Sequence, residues 1–559
     1  MEFAKLKNKR FLLSLFIFMI TIILLGLPFI NWGFLHDDFG VVWSSKIDSL
    51  KNLIKFFYNS GMTVTVQPSN YIEPEQSFFV VYYRPFVYIF NALQILLFNF
   101  SAYGFLLVTI LLHAINAVIL FNLFYPFTST LFAFWGAMFF AFHVSLSSWL
   151  GWVAGQAHIF NFLLILLVIV FLKKYLENRN KINYIFALIL FLISLFTRET
   201  AIIMPLWLMY ATYLYENYLQ INTKNFFQSI FKYIKFTLPF WLFTVFYFVV
   251  RYILYPIKCA GPSQIEINPL KFLINLKYRF FDLVTFLSDI FGLSFLPAGH
   301  QILKGSLIII FFTCFLWSFK NNTKKKYILF FVFSMILFMW PAVLRYYSSR
   351  YLYKALPFCA LTVMFLVNFY KVKTKSGKLN YIKFSLIFFY SFLIMSICSL
   401  FFAMKKREIF LHKLNTAFIE LAQETKIQNR PICFVGLPWG TFITGSAQGM
   451  WINGVKQPVY YDRRSWGFSV RDIFENLLNI EKILQKNKIV GFSLKTSDPD
   501  KLWITSGGQE EFAMGQQIIN EQKNGRVTDT SFIFDKKYLD QNMIFVTWDY
   551  EKLKFKILN

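Results

Sequence analysis

The sequence predicts an α-helical polytopic membrane protein that ends in a small α/β domain. Of its 559 residues, 57% are hydrophobic and only 15% are charged, whereas a soluble domain carries roughly a quarter charged residues. Apolar runs of bilayer-spanning length recur as far as residue 403, and after Lys405 the composition becomes mixed. One aqueous core cannot bury so much apolar surface, because burial saturates with chain size. Lipid is therefore the expected solvent for most of the chain.

The formal net charge of +27 points to the membrane rather than to nucleic acid. Much of the lysine and arginine stands in short loops between apolar runs, where a positive excess sets the orientation of membrane spans. We therefore expect membrane lipids as partners, and no nucleic acid.

The five cysteines show neither a disulfide framework nor the ligand spacing of a zinc site. A single Cys259–Cys433 bridge stays open, on the condition that both residues lie outside the cell. No cofactor and no metal ligand are assigned, and a requirement for a divalent metal is left open.

The N-terminal segment predicts a retained first span with its basic end in the cytoplasm. Residues 1–10 hold three lysines and one arginine, and about twenty apolar residues follow, from Phe11 to Ile30. This run is too long for a signal-peptide core, and no small-residue cleavage site follows it.

Ten further spans bring the predicted total to eleven, which places the two termini on opposite sides of the membrane. They lie near 102–124, 129–146, 159–173, 181–197, 200–216, 234–254, 301–319, 326–343, 352–371 and 383–403. The basic loops between them support this orientation, since all fall on the cytoplasmic side: 173–181, 224–235, 320–326 and 371–378.

Two long loops are then extracytoplasmic, residues 31–101 and about 255–300. Each contains an apolar stretch, 86–98 or 280–296, that is expected at the membrane interface or re-entering the membrane.

Residues 405–559 are predicted to form the extracytoplasmic α/β domain, and residues 1–404 the transmembrane domain. Residues 472–486 are interpreted as a helix. Short alternating or apolar runs predict strands at 432–437, 489–494, 531–534 and 543–547.

Asp37 and Asp38 are the first candidate site residues, in the segment NWGFLHDDF (31–39) directly after the first span. Ionisable groups at a membrane boundary are costly and indicate function. One carboxylate of the pair could act as a general base while the other orients it. A pair that caps a helix in a solvated loop is the alternative.

Three further motifs carry polar side chains at the same boundary. Arg84, in YYRPF (82–86), either holds a phosphate bidentately or snorkels to lipid headgroups. His113 and Asn116, in LHAIN (112–116), share one helix face and either bond between helices or contact substrate. The segment GWVAGQAH (151–158) predicts a short extracytoplasmic turn, in which His158 borders a substrate cleft or the tryptophan simply anchors the interface.

Two more motifs add charge on the predicted outer face. Arg198 and Glu199, in RET, form a mutual ion pair or contact donor or acceptor. The segment RYYSSRYLY (345–353) anchors the interface or binds an anionic partner; its candidate residues are Arg345, Arg350, Tyr351 and Tyr353. Carboxylates and four arginines on one membrane face suit a lipid phosphate together with a base for a hydroxyl acceptor, which is a glycosyl-transfer arrangement.

The ordered set HDD, YRPF, LHAIN, the turn at 151–158, RET and SRYLY resembles the GT-C glycosyltransferases over about residues 25–375. It is similar in particular to the protein O-mannosyltransferase-like branch, with the transmembrane and tetratricopeptide-repeat O-mannosyltransferases and their bacterial relatives. The resemblance implies a GT-C fold, a polyprenyl-phosphate-linked sugar donor and inversion at the anomeric carbon. It also implies that no nucleotide-sugar site is present.

The resemblance assigns roles residue by residue. It places the acidic pair, Asp37 and Asp38, at the catalytic site. It maps the Arg-Pro, His-x-x-Asn, basic-Glu and Arg-Tyr-Leu-Tyr motifs onto 84–85, 113–116, 198–199 and 350–353. Two departures bear on the acceptor: 155–158 reads GQAH where relatives often carry Gly-Arg-x-Asp, and the C-terminal helical repeats are replaced by residues 405–559.

We therefore expect an inverting transferase of the bacterial cytoplasmic (inner) membrane, acting on its outer face with a glycan, lipid or protein acceptor. A transporter or flippase of lipid-linked glycans is the main alternative; it would spread polar residues through the bilayer midplane. A non-catalytic receptor and a glycosidase are further alternatives. The glycosidase is disfavoured because its carboxylates flank the scissile bond rather than adjoin in sequence.

Overall fold

The computed structural model describes most of the transmembrane region and the strands of the C-terminal region. The described residues are 2–34, 38–47, 49–58, 83–148, 150–218, 226–254, 325–338, 349–362, 379–426, 428, 430–435, 446–457, 459–461, 469–470, 478–485, 488–496, 502–503, 515–523, 526–534, 536–539, 542–549 and 551–558. Asp37, Arg345, Cys259 and the predicted span 301–319 lie outside them.

The chain divides into two compact units. The helical unit comprises Met1–Ile30, Tyr83–Val87 and Gly104–Lys406. The mixed unit comprises Asn31–Tyr82, Tyr88–Tyr103 and Arg407–Asn559.

The described residues are mostly helical. In chain order the α-helices are α1 (Glu2–Gly26), α2 (Asp38–Ser44), α3 (Leu50–Tyr58), α4 (Pro85–Phe98), α5 (Ala102–Phe124), α6 (Thr130–Ala141), α7 (Val153–Asn178), α8 (Lys181–Thr197), α9 (Met204–Tyr218), α10 (Phe226–Leu254), α11 (Lys325–Phe338), α12 (Leu379–Lys426), α13 (Ser446–Ile452) and α14 (Lys536–Leu539). Short 3-10 turns cover Leu27–Phe29, Val144–Ser148, Glu199–Ile203 and Ser349–Lys354.

The helix boundaries follow from local chemistry. The hairpin of α7 and α8 turns at Arg179, whose φ of 54° is left-handed, and at Asn180. The Asn180 side chain accepts a hydrogen bond from the backbone N–H of Ile182 at 2.9 Å and so caps α8. Ser129 caps α6 in the same way, through the N–H of Phe132.

Five helical segments among the described residues are long and apolar enough to cross a membrane: Asn8–Phe29, Ala102–Phe124, Thr130–Ser147, Val153–Asn178 and Ser229–Leu254. The chain is thus a multi-pass membrane protein. The predicted spans 102–124 and 181–197 coincide with α5 and α8, whereas α7 extends beyond 159–173 at both ends. The total of eleven spans stays a prediction.

The mixed unit contains three sheets among its described residues. In chain order the strands are β1 (Ile432–Phe434), β2 (Val459–Tyr461), β3 (Ser469–Val470), β4 (Leu478–Gln485), β5 (Lys488–Thr496), β6 (Leu502–Trp503), β7 (Gly515–Lys523), β8 (Arg526–Phe534), β9 (Ile544–Asp549) and β10 (Lys554–Ile557). One sheet has the order β10-β9-β1-β2, with β9, β1 and β2 mutually parallel, and an antiparallel sheet has the order β4-β5-β8-β7; β3 pairs with β6.

Strands occur within each of the four segments predicted as strands, in β1, β5, β8 and β9. The predicted helix 472–486 is wrong for its described part, because 478–485 form β4. That segment pairs antiparallel with β5, from Leu478 opposite Thr496 to Gln485 opposite Lys488. The ladder with β5 therefore overrides a helical propensity that is only a weak prior. Cys433 is buried in β1, and the Cys259–Cys433 bridge stays open because Cys259 lies outside the described residues.

Candidate functional site

The segment that carries the acidic pair lies against helix α12 within the mixed unit. The backbone N–H of Asn31 donates to the Glu408 carboxylate at 3.0 Å. Gly33 approaches so closely that a Cβ atom there would stand 2.0 Å from Asn415 Nδ2 and 2.5 Å from the Leu411 carbonyl oxygen. Only glycine therefore fits this approach to the helix backbone.

Asp38 is the first residue of α2 and its side chain is fully buried. A carboxylate in the first turn is favoured by the helix dipole, which agrees with the interpretation of the acidic pair as a helix start. Asp37 lies outside the described residues, so the two carboxylates are not compared.

A series of aromatic contacts connects the Asp38 helix to the C-terminal sheet within the mixed unit. Phe39 of α2 packs on Phe418 of α12, with ring centroids 5.2 Å apart. Phe418 in turn packs on Phe555 of β10 at 4.9 Å, and Phe555 on Phe434 of β1 at 5.4 Å. Such pairs add to the area they bury, so the C-terminal strands support the segment that carries Asp38.

Arg84 and Glu199 form a bidentate ion pair within the helical unit. Arg84 Nε donates to Glu199 Oε2 at 3.0 Å, and Arg84 Nη2 donates to Oε1 at 2.5 Å. The two side chains are 13% and 25% exposed. The planar guanidinium of Arg84 therefore forms its paired hydrogen bonds with a carboxylate of the protein itself. The partners predicted for Glu199 were Arg198 and the substrate, so its pairing with Arg84 was not predicted.

The charge state of Glu199 follows from its neighbours. Burial alone raises the pKa of this carboxyl, but the Arg84 and Arg198 guanidinium groups outweigh it, and the pKa lies well below its usual range. Glu199 is therefore ionised at neutral pH and is a poor proton donor or acceptor. Its role in this arrangement is to orient and balance cations.

The predicted His113, Asn116 and Tyr353 form one buried hydrogen-bonded group between α5 and the Ser349–Lys354 turn. Asn116 Nδ2 donates to Tyr353 Oη at 3.1 Å, and Tyr353 Oη lies 2.8 Å from His113 Nδ1. His113 Nε2 lies 3.1 Å from the Ala141 carbonyl oxygen. A carbonyl only accepts, so Nε2 carries a proton. In the neutral imidazole, Nδ1 then accepts from the tyrosine hydroxyl. These bonds are interhelical, one of the two roles predicted for His113.

Lys354 ends the same turn and was not singled out from the sequence. Its side chain is 4% exposed, and its ammonium donates to Asn161 Oδ1 of α7 and to Thr200 Oγ1. Asn161 and Thr200 were also missed. An ionisable residue at the start of an apolar run is itself a functional signal, and that signal could have identified Lys354.

The predicted turn at 151–158 is shorter than expected, because α7 already begins at Val153. His158 is a buried residue of this helix rather than of a loop. The reason lies in Gln156, whose side-chain amide donates to Thr109 Oγ1 at 3.0 Å and to the Phe105 carbonyl at 3.3 Å. These bonds satisfy a polar group that would otherwise disfavour a buried helix start. Arg350 and Tyr351 lie in the 3-10 turn Ser349–Lys354, and their side chains lie outside the described part of the structure.

An apolar cavity of about 160 Å³ lies in the helical unit. Its lining includes Phe162, Leu166, Trp207, Phe330, Pro357 and Phe358. Phe162 directly follows Asn161 in the chain, and Pro357 stands three residues after Lys354. The cavity therefore begins within one helical turn of two residues of the polar cluster.

No group of three or more His, Cys, Asp or Glu side chains suited to a metal ion occurs among the described residues. The donors of the described cluster are mainly cationic groups and neutral amides, which suit an anion rather than a cation.

Comparison with known proteins gives structural similarities alone. The chain is similar to ArnT from Cupriavidus metallidurans bound to undecaprenyl phosphate, with a TM-score of 0.39 and 10% identity over 80% of this chain and 89% of that chain. It is also similar to the Archaeoglobus fulgidus oligosaccharyltransferase, tethered with an acceptor peptide or in complex with zinc and sulfate. The TM-scores are 0.43 and 0.44 at 10% identity, over 81% and 80% of this chain and 64% and 62% of that chain.

The chain thus spans slightly less than two thirds of that oligosaccharyltransferase. No protein-family profile and no curated protein matches the chain. ArnT and the oligosaccharyltransferase are GT-C fold glycosyltransferases, the class that the ordered motifs resemble. Because the TM-scores lie below 0.5, the function has to be inferred from the residues of this chain.

Proposed function

We propose that this protein is an inverting membrane glycosyltransferase of the GT-C type. It moves a sugar from a polyprenyl-phosphate-linked donor to a hydroxyl of a glycan, lipid or protein acceptor. The proposed place is the extracytoplasmic face of a bacterial cytoplasmic membrane, with the N-terminus in the cytoplasm and the C-terminal region outside.

The observation that carries this proposal is the cationic cluster of the helical unit. Arg84, Arg198 and Lys354 stand against one carboxylate, Glu199, in a largely buried setting. Among the described residues, three cations to one carboxylate leave a positive balance, and this balance suits an anionic ligand. The polyprenyl-phosphate donor is what the family resemblance implies, and its phosphate is an anion of the kind that these cations would bind.

We assign the proton transfer to the acidic pair, as the family resemblance implies, and the contact with the leaving phosphate to the cations. The acceptor oxygen forms a bond to the anomeric carbon as the bond from that carbon to the donor phosphate oxygen breaks. The acceptor proton passes to Asp37 or Asp38, which is the general base. The leaving phosphate carries the developing negative charge, and the cations stabilise it.

Similarity to ArnT and the oligosaccharyltransferase agrees with this class of protein without carrying the proposal. The first was solved with undecaprenyl phosphate and the second with an acceptor peptide. Which sugar and which acceptor this chain uses is proposed only at the level of chemical class.

The test uses the purified full-length protein in lipid nanodiscs with a panel of polyprenyl-phosphate sugars and membrane glycan extracts. Mass spectrometry then follows the loss of the donor and the gain of one sugar on an acceptor. Asp38→Asn and Asp37→Asn are expected to remain folded, and at least one of them should lose transfer by about a hundredfold or more.

A matched control replaces an exposed carboxylate of the mixed unit, as in Glu521→Gln, and should leave transfer unchanged. Full activity in both aspartate variants and in the double variant would overturn the catalytic assignment. Movement of a lipid-linked glycan across a proteoliposome bilayer without any sugar transfer would favour the flippase alternative instead.

A further inference from the structure

Lys354 is a buried cation held by neutral groups. It forms no ion pair with a described residue, and its hydrogen bonds within the described residues are to an amide oxygen and a hydroxyl. Burying an ammonium costs several kcal/mol unless a counter-charge compensates it. An anionic ligand would supply that counter-charge.

The acceptors around Lys354 are themselves fixed. Asn161 Nδ2 donates to the carbonyl oxygen of Ser194 at 2.7 Å and to its hydroxyl at 3.0 Å, which turns Asn161 Oδ1 toward the ammonium. Thr200 Oγ1 donates to the same Oδ1 at 3.3 Å and accepts from Lys354. These bonds occupy two of the three N–H donors of the ammonium, and one donor remains for a ligand.

The place of Lys354 beside Thr200 brings it next to the ion pair. Thr200 directly follows Glu199, whose carboxylate occupies the fork of Arg84. Arg84 is therefore already neutralised by a protein carboxylate, whereas Lys354 is held only by uncharged atoms. Of these two described cations, Arg84 is paired with a carboxylate and Lys354 is not, so Lys354 is the better placed of the two to meet an incoming anion.

We propose that Lys354 binds the phosphate of the lipid-linked donor, with Asn161 and Thr200 as the residues that position its ammonium. This inference rests on the proposed function, and it assigns the phosphate contact within that function.

The test measures binding, so that it does not depend on knowing the sugar or the acceptor. The probe is farnesyl phosphate, titrated into the full-length protein in nanodiscs, with farnesol and inorganic phosphate as competitors. Lys354→Gln keeps hydrogen-bonding groups toward Asn161 and Thr200 but removes the charge, and it is expected to bind the probe about ten to a hundredfold more weakly. Lys354→Arg keeps the charge and should bind within about tenfold of the native protein.

Asn161→Asp provides a second variant that preserves size and supplies Lys354 with a carboxylate. It gives up the donation to the Ser194 carbonyl, and the counter-charge gained by the buried ammonium offsets that loss in part, so its Tm is measured beside its affinity. Binding should weaken because the new carboxylate competes with the phosphate. The matched control is Lys232→Gln, since Lys232 pairs with Glu216 and lies outside the cluster. Its affinity for the probe should equal that of the native protein.

The outcomes separate the two proposals. Failure of the native protein to bind farnesyl phosphate would overturn the polyprenyl-phosphate donor, and the Lys354 assignment with it. Native affinity in both Lys354→Gln and Asn161→Asp would overturn the Lys354 assignment alone, including the case in which these variants are merely less stable. Competition by inorganic phosphate supports an anion site at Lys354, and competition by farnesol alone argues against it.

Discussion

Arg84 and Glu199 are 115 residues apart in sequence and are joined by two parallel hydrogen bonds, of 3.0 and 2.5 Å. The pair connects the segment before α4 to the 3-10 turn between α8 and α9. From the sequence, Arg84 was expected to hold a phosphate or to snorkel to lipid headgroups, and Glu199 was expected to pair with Arg198 or to contact donor or acceptor. In the structure Arg84 and Glu199 pair with each other.

Loss of either partner should destabilise the helical unit. Arg84→Met leaves the Glu199 carboxylate without its bidentate donor, and we expect a loss of about 2–3 kcal/mol. Arg84→Lys should recover only part of it, because a lysine cannot form both parallel bonds. Thermal unfolding in nanodiscs measures the effect, and Arg84→Met/Glu199→Met should lose less than the sum of the single variants. Strict additivity would contradict a direct pair.

The stability that Glu199 contributes should be independent of pH near neutrality. Its folded-state pKa lies below its usual range, so the contribution is fully present above the unfolded pKa of about 4.5 and is lost as the pH falls through the folded pKa. The difference in Tm between the native protein and Glu199→Gln should therefore stay constant from about pH 6 to pH 8. A difference that changes steeply within that range would show that Glu199 titrates there.

The helices of the transmembrane region were predictable because their apolar runs are long and their ends carry caps. The bounds of α5 and α8 follow directly from composition and from the Asn180 cap. Strand β4 was not predictable, because its residues suit a helix and only pairing with β5 decides the matter. Neither was the partner of Arg84, since nothing local to residue 84 indicates residue 199. Lys354 could have been predicted, because it is an ionisable residue at the start of an apolar run.

Gly33 should tolerate no side chain. Gly33→Ala places a Cβ atom 2.0 Å from Asn415 Nδ2 and 2.5 Å from a backbone carbonyl of α12, and the carbonyl cannot move without distorting the helix. We expect a destabilisation of about 1–3 kcal/mol and a loss of transfer, because Asp38 follows five residues later. Limited proteolysis and the transfer assay measure both effects. Gly26→Ala is the control, since its nearest neighbour would stand at 3.5 Å; equal behaviour of the two variants would contradict the close approach.

The Tyr353 hydroxyl should contribute to stability and to ligand binding through its hydrogen bonds to His113 and Asn116. Tyr353→Phe removes the hydroxyl that pairs with His113 Nδ1 and accepts from Asn116. Asn116 Nδ2 keeps its bond to the Ile159 carbonyl, so His113 Nδ1 is the group left unsatisfied, at a cost of about 1–3 kcal/mol. Binding of farnesyl phosphate should weaken as well, because Lys354 is the next residue of the same turn. Tyr252→Phe, at an exposed position, serves as the control. A variant at Tyr353 that keeps both native Tm and native affinity would show that the hydroxyl contributes nothing.

The aromatic series from Phe39 through Phe418 to Phe555 has a consequence for anyone who recombines such proteins. A chimera designed from the linear sequence would be joined after the last span, with the final 150 or so residues treated as an independent domain. The ring contacts indicate that three segments should be exchanged together: the segment around Asp38, the end of α12 and strand β10. A chimera that takes the first loop from one parent and the C-terminal residues from another would replace one side of these ring contacts without the other.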